Sequence, residues 1–223
     1  MEQEKAVVIP VVEAVLVIFV TGVLFVLLSA IFYIIELDIG LVLVLSELVI
    51  LIVPLVYLLY KGVDIKRYVG IDVKPNLVLW GFVSGAILLS VDIAVSAVLL
   101  LVFGESEAVV QSNNTITALS QSPLGLISVA TALGLAGVCE EFAFRGFLQS
   151  TLTRRYSFIP ALIVSAFVFG LFHFDPQVVY ILSAMTAGLV LGFVYHHWNS
   201  YVVSAIAHST LNLVVLAALL LAI

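Results

Sequence analysis

The chain has 223 residues, of which 64% are apolar and 10% charged, with a mean hydropathy of +1.31 and a formal net charge of −6. Soluble proteins carry about 25% charged residues, so this composition excludes a soluble globular domain and predicts an all-α, polytopic transmembrane helix bundle. The scarcity of Lys and Arg argues against nucleic acid as a partner, and the single cysteine, Cys139, excludes an intramolecular disulfide and a cysteine-based zinc site.

About seven apolar segments follow in order, eight if one of them splits, each judged against the roughly 20 residues a helix needs to cross the hydrocarbon. The first runs from about Val11 to Ile35, with Pro10 and Glu13 placing its opening turn in the interface. The N-terminal apolar run is too long for the core of a signal peptide and lacks a small-residue cleavage site, so no cleavable leader is expected. The second segment spans Ile39 to Tyr60, the third Leu77 to Phe103, and the fourth Leu124 to Leu152. The fifth, Ile159 to about Phe174, and the sixth, Val178 to Tyr195, are short and joined by the turn Asp175-Pro176-Gln177. The seventh begins at Tyr201. No repeat or separate soluble domain is visible, so residues 1–223 read as one membrane-embedded domain.

Orientation follows from the loops. Lys5, Lys61, Lys66, Arg67, Lys74, Arg154 and Arg155 all fall on one side, whereas the segment Gly104 to Pro123 holds Glu105 and Glu107 and no base. By the positive-inside rule the basic side is cytoplasmic. The sequon Asn113-Asn114-Thr115 lies in the outer loop, where it is weak evidence for glycosylation.

Ionisable groups within the spans are the search list for chemistry, because each costs roughly 2.5–3.5 kcal/mol on insertion scales. The fourth segment carries Cys139-Glu140-Glu141-Phe142-Ala143-Phe144-Arg145. On a helix Glu141 and Arg145 meet as an (i, i+4) ion pair, while Glu140 points about 100° away without that partner. A desolvated carboxylate of this kind suits a general acid or base, although a purely structural pair with a buried polar contact explains the same residues. The fifth span ends in Phe169-Gly170-Leu171-Phe172-His173, and the seventh contains His208 and Asn212 on one helix face. Measured from the cytoplasmic ends at about 1.5 Å per residue, Glu140 lies roughly 18 Å deep, His173 roughly 21 Å, His208 roughly 11 Å and Asn212 roughly 17 Å. Carboxylate, imidazole and amide thus share one layer. Glu47 and Asp92, single carboxylates in the second and third spans, are expected as interhelical hydrogen-bond partners, with lining of a substrate path as the second reading. His196 and His197 beside Trp198 read as an interfacial cluster, and Cys139 as a small hydrophobe.

Glu140-Glu141-x-x-x-Arg145, Phe169-x-x-x-His173 and His208-x-x-x-Asn212, in that order on separate spans, resemble the signature of the CPBP intramembrane proteases, which include the CAAX prenyl endopeptidases of the Ras-converting type. The resemblance covers Leu124 to about Asn212, with a catalytic core of about 124–213. It implies that Glu140 and His173 activate a water, that His208 and Asn212 donate to the oxyanion, and that Glu141 and Arg145 support the site without any cofactor. The implied partners are membrane lipid and a membrane-associated peptide or lipidated protein. The implied location is the plasma membrane of a prokaryote, with a site reached from the cytoplasmic face. Well-studied CAAX-processing members look like eight-span proteins, one more than is counted here.

Two other readings use the same residues. Glu140, His173 and His208 form a chemically reasonable zinc ligand set, and a non-hydrolytic scaffold, immunity protein or proton-coupled transporter would place polar groups at the same depth. The basic-loop asymmetry generates the first test. A reporter fused after Lys66 is expected in the cytoplasm and one near Asn113 outside; finding both on one side would overturn the topology.

Overall fold

The computed structural model describes residues 8–222; Lys5, assigned above to the inner face, lies outside them. Among the described residues every regular element is a helix: α1 (Val11–Ile34), α2 (Ile39–Tyr60), α3 (Ile65–Val69), α4 (Pro75–Phe103), α5 (Glu107–Leu119), α6 (Pro123–Thr153), α7 (Phe158–Leu171), α8 (Val179–Trp198) and α9 (Tyr201–Leu221). Short polar side chains set many of the starts. Asp38, Asp64, Ser106, Ser122 and Ser200 each accept a hydrogen bond from a backbone N–H of the helix that follows.

α1, α2, α4, α6, α8 and α9 are the 6 helices long and apolar enough to cross a membrane. The expected fifth span is shorter than a crossing. α7 has 14 residues, about 21 Å at ~1.5 Å per residue, against a hydrocarbon core of ~30 Å. It stops inside the bundle at the polar layer, so His173 lies in the turn after α7 rather than on a span. The outer loop also differs from expectation. Glu107–Leu119 is a helix, α5, and Asn113 and Asn114 of the sequon lie within it.

α6 is the axis of the bundle, packed against α2 on one side and α9 on the other; α9 also lies against α4 and α8, and α7 pairs with α8. Apolar side chains gain nothing by leaving lipid for one another, so close approach depends on small residues. A Cβ on Gly137 would lie 2.5 Å from the backbone nitrogen of Ser209, and Gly81 and Gly85 of α4 meet Ile206 and Thr210 of α9 just as tightly. The outward faces carry exposed Leu27, Val56 and Leu101, as lipid-facing helices require.

The centre of α6 is not an α-helix. Phe142–Gln149 forms a π-helical segment of 8 residues, all of them buried. It touches α1, α2, α3, α7, α8 and α9, and Val69 of α3 seats against Gly146. π turns of this kind occur most often at functional sites. Below it, the end of the bundle that carries the basic loops is closed by polar contacts. Tyr195 donates to the Val69 carbonyl (3.0 Å), Arg154 donates to the Tyr68 carbonyl (3.2 Å), and the Tyr68 and Thr151 hydroxyls share a 2.7 Å bond. Glu13 pairs with Lys61 at 2.6 Å and accepts from the Tyr57 hydroxyl, which fixes the opening turn of α1 at the interface. Trp80 stacks on Trp198 (4.7 Å) and Phe158 on His196 (3.8 Å) at the same end.

Gly137→Ala should push α9 off α6, costing about 1–3 kcal/mol as overpacking does and slowing any turnover that needs His208 and Asn212. Gly134→Ala, where a Cβ meets open space, is the matched control. Thermal unfolding in detergent compares them; equal stability would contradict the packing described here.

Candidate active site

Glu141 and Arg145 are both 0% exposed, with Nη1 of Arg145 2.9 Å from Oε1 of Glu141. The same carboxylate oxygen lies 3.1 Å from Nδ1 of His208 on α9. Arg145 also donates through Nη2 to the Gly188 carbonyl of α8 (3.1 Å) and sits 4.3 Å from the ring centre of Phe169 on α7. One ion pair therefore joins α6, α7, α8 and α9. A buried cation is tolerable only with partners of this kind, and here a carboxylate, a carbonyl and an aromatic face supply them.

The two imidazoles are oriented by acceptors. Nδ1 of His173 is 3.1 Å from the Phe169 carbonyl. A carbonyl oxygen can only accept, so Nδ1 carries the hydrogen and Nε2 keeps a lone pair. In His208 Nδ1 likewise faces an acceptor, the Glu141 carboxylate, and Nε2 becomes a donor only when the ring holds two protons. Phe169 packs against both rings, with centroids 4.9 Å from His173 and 5.8 Å from His208. Asn212 donates one amide hydrogen to the Leu133 carbonyl (3.1 Å), and Ser209 donates to the adjacent Gly134 carbonyl (2.8 Å). These bonds fix the register of α9 on α6 and leave the second Asn212 amide hydrogen free.

Glu140, His173, His208 and Asn212 all line one cavity of about 310 Å³, together with Glu47 and Tyr180. The sequence placed the first four in one layer; the fold brings them to one space. Glu47 departs from its expected role. Its Oε2 is buried without a hydrogen-bond partner, as is Oε2 of Glu140. Asp92 behaves as expected, accepting from Ser183 across helices (3.4 Å). Tyr180 escaped the sequence reading because an aromatic residue in an apolar span carries no signal of its own. Among the described residues, no three His, Cys, Asp or Glu side chains lie close enough to hold a metal ion together.

The turn that carries His173 is held from two sides. Asp175 accepts from the backbone N–H groups of Gln177 (3.0 Å) and Tyr180 (2.7 Å) and from the Ser106 hydroxyl (3.2 Å), and Gln177 accepts from the Glu107 N–H (2.6 Å). Burial works to raise the Asp175 carboxyl, but these donors outweigh it and hold it below its ordinary value. They also hold Phe174 and Val178 at positive φ, 29° and 66°, a conformation that a β-branched residue such as Val178 adopts only when its surroundings impose it. α5 is thus docked over the site, and its Ser112, Asn113 and Ile116 share a second cavity with His173, His208 and Asn212.

Residues 122–214 match the family model described as type II CAAX prenyl endopeptidase, Rce1-like. The matched segment contains all seven residues of the CPBP-type signature, from Glu140 to Asn212. No curated protein and no solved structure matches the chain.

Breaking the buried pair should destabilise the fold. Glu141→Gln removes the charge facing Arg145 and is expected to cost up to about 3–5 kcal/mol, whereas Glu140→Gln, outside the pair, should unfold close to wild type. Equal melting temperatures for the two variants would refute this division.

Proposed function

We propose that the protein is an intramembrane endopeptidase acting on membrane-associated peptides, including lipidated CAAX-type substrates. The observation that carries this reading is the convergence of Glu140, His173, His208 and Asn212 from three parts of the bundle on one cavity, with His208 held by Glu141. The family match over 122–214 supports a CAAX-type intramembrane protease in general.

Peptide hydrolysis needs a water made nucleophilic, donors where negative charge develops, and a proton for the leaving amine. Glu140, without a cation of its own, accepts the water proton beside His173, whose Nε2 lone pair orients that water. The His208 ring, held by the Glu141 carboxylate, and the second Asn212 amide hydrogen then face the oxyanion. Glu141 and Arg145 act by fixing the His208 ring. No step is assigned to a metal.

Two features bear on substrate. An apolar groove of about 410 Å³ between α1 and the end of α7 shares Phe25, Phe172 and Phe174 with the catalytic cavity, which suits a lipid-anchored peptide entering from the bilayer. α5 covers the site on the face opposite the basic loops. With α5 closing that face, this groove is the lateral route by which a lipid-anchored peptide would reach the cavity, beside the cytoplasmic opening expected from the sequence.

The test uses purified protein and a cleavable membrane peptide, with bound metal measured alongside. Glu140→Gln should lose activity by several orders of magnitude while staying folded, Asn212→Ala should slow turnover about 10²-fold or more, and a strong chelator should have no effect. A scaffold or transporter would tolerate Glu140→Gln. One zinc per chain, with activity lost to chelation and restored by zinc, would overturn the metal-free chemistry.

A further inference from the structure

Glu47 lies on α2, outside the segment that carries the signature, yet it faces the same cavity as Glu140. Neither carboxylate takes part in an ion pair among the described residues, and Oε2 of each is buried without a hydrogen-bond partner. The titratable groups around them are His173 from the α7–α8 turn, Tyr180 from α8 and His208 from α9; no Lys or Arg lines the cavity. Cys139 and the paired Glu141 and Arg145 complete the α6 side. Two anions in one small, poorly solvated space repel strongly, and such pairs relieve the repulsion by holding one proton between them. Glu140 stands next to the network of Glu141, Arg145 and His208, whereas Glu47 has no basic group on its own helix at this depth. With Glu140 as the base of the endopeptidase reading, the acid role falls to Glu47.

We infer that Glu47 is a second catalytic carboxylate, the acid that delivers a proton to the leaving amine while Glu140 takes one from water. The inference rests on the endopeptidase reading. The water oxygen forms a bond to the scissile carbonyl carbon as its proton passes to Glu140. The C–N bond then breaks, its electron pair stays on nitrogen, and nitrogen takes the Glu47 proton. Glu140 now holds a proton and Glu47 is the anion, so transfer of that proton across the cavity restores the starting state without any further reactant. The arrangement also accounts for a carboxylate left in α2 with no structural partner, which membrane helices otherwise avoid.

An amide nitrogen leaves only with a proton, while an ester oxygen leaves far more readily without one, and this difference isolates the role of Glu47. The probes are a membrane-anchored peptide that the full-length wild-type protein cleaves and the same peptide with an ester at the scissile bond. Glu47→Gln should lower kcat on the amide about 10²-fold or more, with KM within about twofold, and lower kcat on the ester by less than about fivefold. Glu47→Asp should recover part of the amide activity. Equal loss on amide and ester, or no loss on either, would overturn the assignment of Glu47 alone, provided Glu140→Gln abolishes both reactions. If no amide cleavage depends on Glu140, the endopeptidase reading falls and this inference falls with it.

Discussion

The buried pair of Glu141 and Arg145 is the contact on which the rest of the arrangement depends. An ion pair with neither partner exposed gives little net stability, since desolvation offsets most of its Coulomb energy. Its value lies in uniqueness. Arg145 meets the Glu141 carboxylate, the Gly188 carbonyl and the Phe169 ring, and the register of α6, α7 and α8 is the one that brings these three together around it. Through the second contact of Oε1 the same pair sets the ring of His208.

That register is expressed through small residues and one irregular stretch. Gly137, Gly81 and Gly85 bring backbones together where a methyl group would collide, and the approach lets Ser209 and Asn212 bond directly to carbonyls of α6. The π-helical Phe142–Gln149 lies where α6 is enclosed on every side. Its wider turns rotate the following residues relative to a straight helix, so that Arg145 faces α7 and α8 while Gln149 donates to the Gly192 carbonyl of α8 (2.9 Å). Position and irregularity thus coincide at the site, as in other membrane helices that depart from regular geometry only where protein encloses them.

The polar space above this hub combines firm anchors with unsatisfied groups. His173, His208 and Asn212 each have one polar atom held by a protein partner, as a preorganised site requires. Glu47 and Glu140 by contrast have oxygen atoms with no protein partner. In a low-dielectric interior such groups are costly unless a proton, water or substrate completes them. α5 and the Asp175 turn close over this space from one face, and the groove beside α1 borders it on the other.

Much of this was legible in the residue order. Composition alone fixes the membrane class, since apolar runs of 20 or so residues have few other stable fates, and the helix boundaries of α1, α2 and α4 followed from hydropathy within a few residues. The cavity residues Glu140, His173, His208 and Asn212 were legible as candidates because an ionisable or amide group in an apolar run is conspicuous, and the Glu141–Arg145 pair because helical spacing is local. α7 was overread as a full span, because hydropathy continues through Phe172 and Phe174 although the Asp175 turn has already ended the helix. α5 was missed because its modest apolar content resembles a loop, and the π segment because nothing in Phe142–Gln149 distinguishes it from an α-helix until neighbours surround it. Glu47 was assigned to interhelical bonding, since a lone carboxylate does not reveal what it faces. Hydropathy and distance along one chain were enough to pick out the polar groups within apolar helices. Which of them share a cavity, and which are left without a partner, depends on helices far apart in sequence and so emerges only when the bundle packs.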